Sequence, residues 1–138
     1  MNRTIKFRGK RVDNGEWYYG NYIDGTDGRS YIMDFASVDR DAFTFQEVLP
    51  ETVGQFTGLH DRNGKEIYEG DVVKFTMGDE ERICVVEYKN GGFMVESDGF
   101  FGLDEFDVTT IGFAFDEMDE TIVVGNIHDN PELLEDKA

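Results

Sequence analysis

The sequence predicts a mainly β protein of short antiparallel strands: an N-terminal meander, then a small barrel, then a short helical turn at the C-terminus. Three observations carry the β reading. Apolar and polar residues alternate with period two in short stretches, as in Ile5-Lys6-Phe7-Arg8. Turn clusters of Gly, Asn and Asp recur at intervals of about ten residues, the spacing of small barrels. The stretches between them are rich in aromatic and β-branched residues, with twelve Phe and six Tyr in the chain.

The elements follow in order. Asp13-Asn14-Gly15 marks a turn, and Trp17 to Ile23 reads as an aromatic-rich strand. Asp24 to Gly28 is a second turn, and Ser30 to Met33 a third short strand. Ala42 to Leu49 fits either a strand, with Phe43, Phe45 and Glu47 on one face, or a single helical turn; Pro50 ends whichever forms, because it lacks the N–H. Thr52 to Thr57 is strand again. Asp61-Arg62-Asn63-Gly64-Lys65 is a hairpin turn, since Asn-Gly supplies positive φ at small steric cost. Gly70 permits a tight turn, and the Asp71 side chain is placed to bond nearby backbone N–H groups before the strand from Val72 to Phe75.

Met77 to Glu81 reads as a charged turn. Ile83 to Tyr88 and Phe93 to Glu96 are strands joined by Asn90-Gly91-Gly92, and Phe100 to Phe106 is ambiguous between loop and helical turn. Val108 to Phe115 is apolar and strand-like, Asp116 to Glu120 a solvated turn, and Thr121 to Ile127 the last strand. Asn130 as cap, Pro131 at the first position and Glu132 in the first turn mark a short helix. With 138 residues the chain is one unit, with a natural subdivision into an N-terminal β region (1–50) and a barrel region (51–138).

Composition excludes several functions. Thirty acidic residues against thirteen basic give a net charge of -17. The 14% aromatic content argues against disorder. One cysteine, Cys84, excludes an internal disulfide and leaves no Cys-based zinc site; within Ile83-Cys84-Val85-Val86 it reads as a buried hydrophobe. No apolar run of membrane-spanning or signal-peptide length appears, so a soluble intracellular protein is expected.

Charge is divided along the chain. Met1 to Arg11 carries five basic residues (Arg3, Lys6, Arg8, Lys10, Arg11) and no acidic one. Asn90 to Asp136 carries thirteen acidic residues and no Lys or Arg. The basic strip is expected to meet the acidic half, of its own subunit or a neighbour's, before any outside ligand.

Catalytic constellations are scarce. His60-Asp61 and His128-Asp129 are the two His–Asp pairs, and both sit in turn-like segments with no nucleophile beside them. The carboxylate clusters Asp79-Glu80-Glu81 and Asp116 to Glu120 lack the glycine and glutamate spacing of a calcium loop. There is no phosphate-cradling glycine motif. The chain is therefore read as a non-enzyme without cofactor or metal.

Several stretches carry a resemblance. Ile5-Lys6-Phe7-Arg8-Gly9-Lys10 and Trp17-Tyr18-Tyr19-Gly20 open it; Glu51 to Leu59 and Asp61 to Val73 form its centre; Val124 to Leu134 closes it. In this order they resemble the YopX-like family of phage and prophage proteins. The resemblance implies a mostly β fold, an SH3-like barrel around Glu69-Gly70-Asp71-Val72-Val73, and no catalytic or ligand-binding residues to carry over.

The expected function is then protein–protein contact, including self-association. Trp17, Tyr18, Tyr19 and Tyr22 form the candidate interaction surface, because the tyrosines cannot all face one core. Two other readings stand beside it. The basic strip Arg3, Lys6, Arg8, Lys10 and Arg11 with these aromatics could contact nucleic acid, although the net charge opposes a polyanion. Alternatively, the acidic half could mimic DNA and block a host enzyme.

Overall fold

The computed structural model describes residues 5–34, 45–77, 80–89, 92–96, 108–110 and 121–135. Residues 1–4, 35–44, 78–79, 90–91, 97–107, 111–120 and 136–138, Arg3 and Phe43 among them, lie outside the described residues. The chain is mainly β, in two antiparallel sheets, and divides into the units Met1–Gly58 and Leu59–Ala138.

In the N-terminal unit, β1 (Phe7–Lys10), β2 (Trp17–Asp24), β3 (Ser30–Met33), β4 (Phe45–Val48) and β5 (Gly54–His60, which runs across the division) lie in the order β4-β3-β2-β1-β5. The ambiguous Ala42 to Leu49 stretch is a strand where it is described. Polar turn residues set the hairpins. Glu16 N–H donates to Asn14 Oδ1 at 2.9 Å, and Arg29 N–H donates to Asp27 Oδ1 at 3.0 Å. Pairing of Arg8 with Tyr19 and of Phe7 with Gln55 places β1 between β2 and β5.

The end of β4 returns to the end of β1. Val12 N–H donates to Glu47 O at 3.0 Å, and Leu49 N–H donates to Lys10 O at 2.8 Å, on either side of an Arg11–Val48 bridge. Pro50 then opens a 3-10 turn (Pro50–Thr52). Thr52 Oγ1 accepts from Lys10 N–H at 2.8 Å and donates to Leu49 O at 2.6 Å, fixing that turn against β1.

Alternation sorts this sheet into two faces. One, here the first face, carries Lys6, Arg8 and Lys10 with Trp17, Tyr19, Ile23, Tyr31, Phe45, Glu47 and Phe56. The second carries Phe7, Gly9, Tyr18, Gly20, Tyr22, Ser30, Ile32 and Val48, and buries Ile32 and Val48 completely or nearly so. Gly20 is needed for close approach: its φ is 156°, and a Cβ there would collide with the Met33 carbonyl oxygen.

In the second unit, residues 61–65 turn β5 into β6 (Glu66–Tyr68). There follow β7 (Asp71–Met77), β8 (Glu80–Lys89), β9 (Gly92–Glu96), β10 (Val108–Thr110), β11 (Ile122–Asn126) and a one-turn helix α1 (Glu132–Glu135). The five-stranded sheet has the order β10-β9-β8-β7-β11. β7 and β8 are longer than the sequence pattern suggests, since the ladder continues to Met77 opposite Glu80 within the expected charged turn. A barrel closes when its first and last strands pair. Among the described residues no strand pairing joins β10 to β11.

The core of this unit is Ile67, Tyr68, Val72, Val73, Cys84 and Val86, all essentially inaccessible. Cys84 is the buried hydrophobe its sequence context indicates. Asp71 is buried too, and its Oδ2 accepts the Tyr68 N–H at 2.7 Å. This pins the Glu69-Gly70 turn, where Gly70 N–H reaches Val86 O at 2.8 Å.

Asn130 differs from expectation. Its Oδ1 accepts from Asn126 N–H at 3.3 Å, tying the helix to the end of β11, while Leu133 N–H bonds the Asn130 carbonyl. The reason is a competing local motif: Asn126 Oδ1 already gathers the N–H groups of His128 and Asp129, folding the chain back so that Asn130 meets Asn126. Among the described residues no helix is long and apolar enough to cross a membrane.

Candidate interaction surface

The aromatic strand and the basic strip occupy the same place. Because β1 and β2 pair antiparallel with Lys10 opposite Trp17, the basic side chains of β1 lie among the rings of β2. The Arg8 guanidinium lies 4.4 Å from the Trp17 ring centre, and Lys10 Nζ lies 5.6 Å from the same centre. On the other side of β1, Lys6 Nζ stands 5.6 Å from the Phe56 ring. Each is a cation on an aromatic face, worth roughly 0.5–2 kcal/mol depending on desolvation. Arg8 is at the desolvated end, with 5% of its surface exposed.

Strand parity divides the predicted residues. Trp17 and Tyr19 share the first face with Lys6, Arg8 and Lys10. Tyr18, Tyr22 and Arg11 point to the second. There the Arg11 guanidinium stands 5.8 Å from the Tyr18 ring. It also holds Asp13 through two bonds of 2.9 and 2.7 Å. These bonds lower the Asp13 carboxyl from its ordinary 3.8 and raise Arg11 above its ordinary value. Tyr22 packs on Phe7 at 5.7 Å, with its hydroxyl 3.2 Å from Ser30 Oγ. Burial is the largest cause pushing the Tyr18 phenol up. The four aromatics are thus two pairs on opposite faces, not one patch.

The open part of the first face lies toward β3 and β4. Tyr19 is 43% exposed, Ile23 37% and Phe45 54%. Phe45 meets Tyr31 edge-on at 5.8 Å. Charged groups border this region: the Arg29 guanidinium is 4.0 Å from both Asp27 and Glu47. Asp27 also accepts the Tyr31 hydroxyl at 2.7 Å, which lowers its carboxyl and raises the tyrosine. The sequence pattern does not by itself bring Ile23 and Phe45 into the candidate surface. The only signal for Phe45 is its alternation with Glu47, which shares its face.

The aspartates of the two His–Asp pairs bond backbone and side-chain amides. Asp61 Oδ1 accepts from Asn63 N–H at 2.8 Å and Lys65 N–H at 2.9 Å, and its Oδ2 accepts from Val123 N–H at 3.0 Å. Burial pushes this carboxyl up, and the three amides with Lys65 outweigh it, leaving it below 3.8. Asp129 receives Asn126 Nδ2 at 3.1 Å. Among the described residues no three of His, Cys, Asp and Glu converge as metal ligands would.

The sequence model of the family described as "YopX protein" matches residues 6–135. The chain belongs to the YopX family. A curated relative, the SPbeta prophage-derived uncharacterized protein YopX of Bacillus subtilis (strain 168), is 36% identical over 74 residues, 52% of each chain. The matched part is thus about half the length of that relative. A crystal structure of protein EF1440 from Enterococcus faecalis has a TM-score of 0.58 at 22% identity, over 96% of this chain and 99% of that one. That likeness concerns the fold.

Proposed function

We propose that this YopX-family chain is a phage- or prophage-encoded interaction module that acts by protein contact rather than catalysis. It binds through the open part of the first face. The observation that carries the reading is the joint exposure of Tyr19, Ile23 and Phe45 beside a stack of cations on aromatic rings. Exposed apolar side chains gathered on one sheet face are a feature of protein interfaces.

The disposition of the basic strip favours protein over nucleic acid. Phosphate contact needs accessible cations, whereas Arg8 is buried on Trp17 and Arg11 is engaged by Asp13. Small-barrel geometry for the second unit belongs to this same reading, as a scaffold and not as a site. The test compares the full chain with Phe45→Glu in capture from host lysate. Partners held by the first and lost by the second support the reading. Equal capture by both, or a gel shift of DNA by the full chain at physiological salt, would overturn it.

A further inference from the structure

Resting on that reading, we infer that the occupant of the open first face is a second copy of this chain, docked face to face. The case is electrostatic. The N-terminal unit holds seven Lys and Arg against nine Asp and Glu, a net of -2; the second unit holds six against twenty-one, a net of -15. Two copies repel as whole molecules, but charges beyond a Debye length of about 8 Å are largely screened. Contact is therefore least costly where local charge is nearly balanced, and that is the unit that exposes Tyr19, Ile23 and Phe45.

The border of the patch is self-complementary. A two-fold interface places the same surface on both partners, so a charged border avoids repelling itself only where it carries both signs. Arg29, Asp27 and Glu47 supply both. Their pairs within one chain are long, at 4.0 Å, with side chains 62%, 47% and 38% exposed. Such pairs contribute little, so Arg29 is available to exchange them for Asp27 or Glu47 of the second copy. A purely acidic or purely basic partner would meet repulsion from one of these groups.

The experiment is sedimentation equilibrium of the full chain over a concentration series reaching roughly tens of micromolar, the range of weak specific dimers. The full chain is expected to form a dimer. Phe45→Glu and Arg29→Glu are each expected to weaken it at least about tenfold, with unchanged far-UV circular dichroism. The double variant R29E/E47R restores opposite signs across the interface and is expected to recover it. A monomer throughout, or a dimer indifferent to these substitutions, overturns the proposal. The lysate capture separates the two failures: monomeric chain with Phe45-dependent capture leaves the module reading standing with another partner, whereas monomeric chain with Phe45-independent capture ends both.

Discussion

Arg8 shows how one side chain fixes the character of this sheet. A guanidinium with 5% exposure needs a face that accepts its charge, and Trp17 at 4.4 Å provides one. Trp17 is the chain's single tryptophan, so its fluorescence reports on this stack alone. Arg8→Leu removes the cation and should shift Trp17 emission while lowering stability by about 1–2 kcal/mol, as read by urea unfolding.

Asp61 plays the corresponding part in the second unit, holding the 61–65 turn and the start of β11 through three amides. Asp61→Asn keeps one acceptor but turns an NH₂ toward one of those N–H groups. It should cost about 1–3 kcal/mol. The native carboxyl sits below its ordinary 3.8, so its contribution is full above that value and is lost as pH falls through the lower, folded-state pKa. The stability gap between the native chain and the Asp61→Asn variant, measured by urea at about pH 7 and about pH 3, should therefore narrow at the acidic end.

At the scale of elements, what is readable in the sequence is local. Turn chemistry at Asp13-Asn14-Gly15, at Asp61 to Lys65 and at Gly70-Asp71 is encoded in adjacent residues, and the strands between follow from period-two alternation. Facing is harder. Alternation says that Tyr18 and Tyr19 point apart, but only the register of Arg8 against Tyr19 says which of them joins the basic strip. Asn130 shows the limit of pattern reasoning: a cap residue by type, it bonds Asn126 because an Asx turn four residues earlier redirects the chain. Phe45 takes its meaning from pairing with Met33 across β3, which no short window contains. The tightest element constraint is at Gly20, where a side chain would meet the Met33 carbonyl. Gly20→Ala forces β2 and β3 apart and should cost more than about 3 kcal/mol, seen as a large fall in melting temperature or loss of soluble protein.

For the whole molecule, the net charge of -17 is unevenly placed, and the placement matters more than the sum. Nearly all of it belongs to the second unit, which leaves a near-neutral sheet with exposed aromatics as the region where close contact is least opposed. Lys6, Arg8 and Lys10 lie on rings of their own unit, and Arg11 is held by Asp13 as well as by Tyr18.

The central claim is that the exposed end of the first face is a protein-docking surface whose partner is a second copy. The most direct measurement is the weight-average mass of the full chain by sedimentation equilibrium as concentration rises, beside that of Phe45→Glu. The account predicts a rise from the mass of one chain toward that of two for the full chain, and the mass of one chain throughout for the variant. A full chain that stays at the mass of one, or a variant that dimerises equally well, would contradict it.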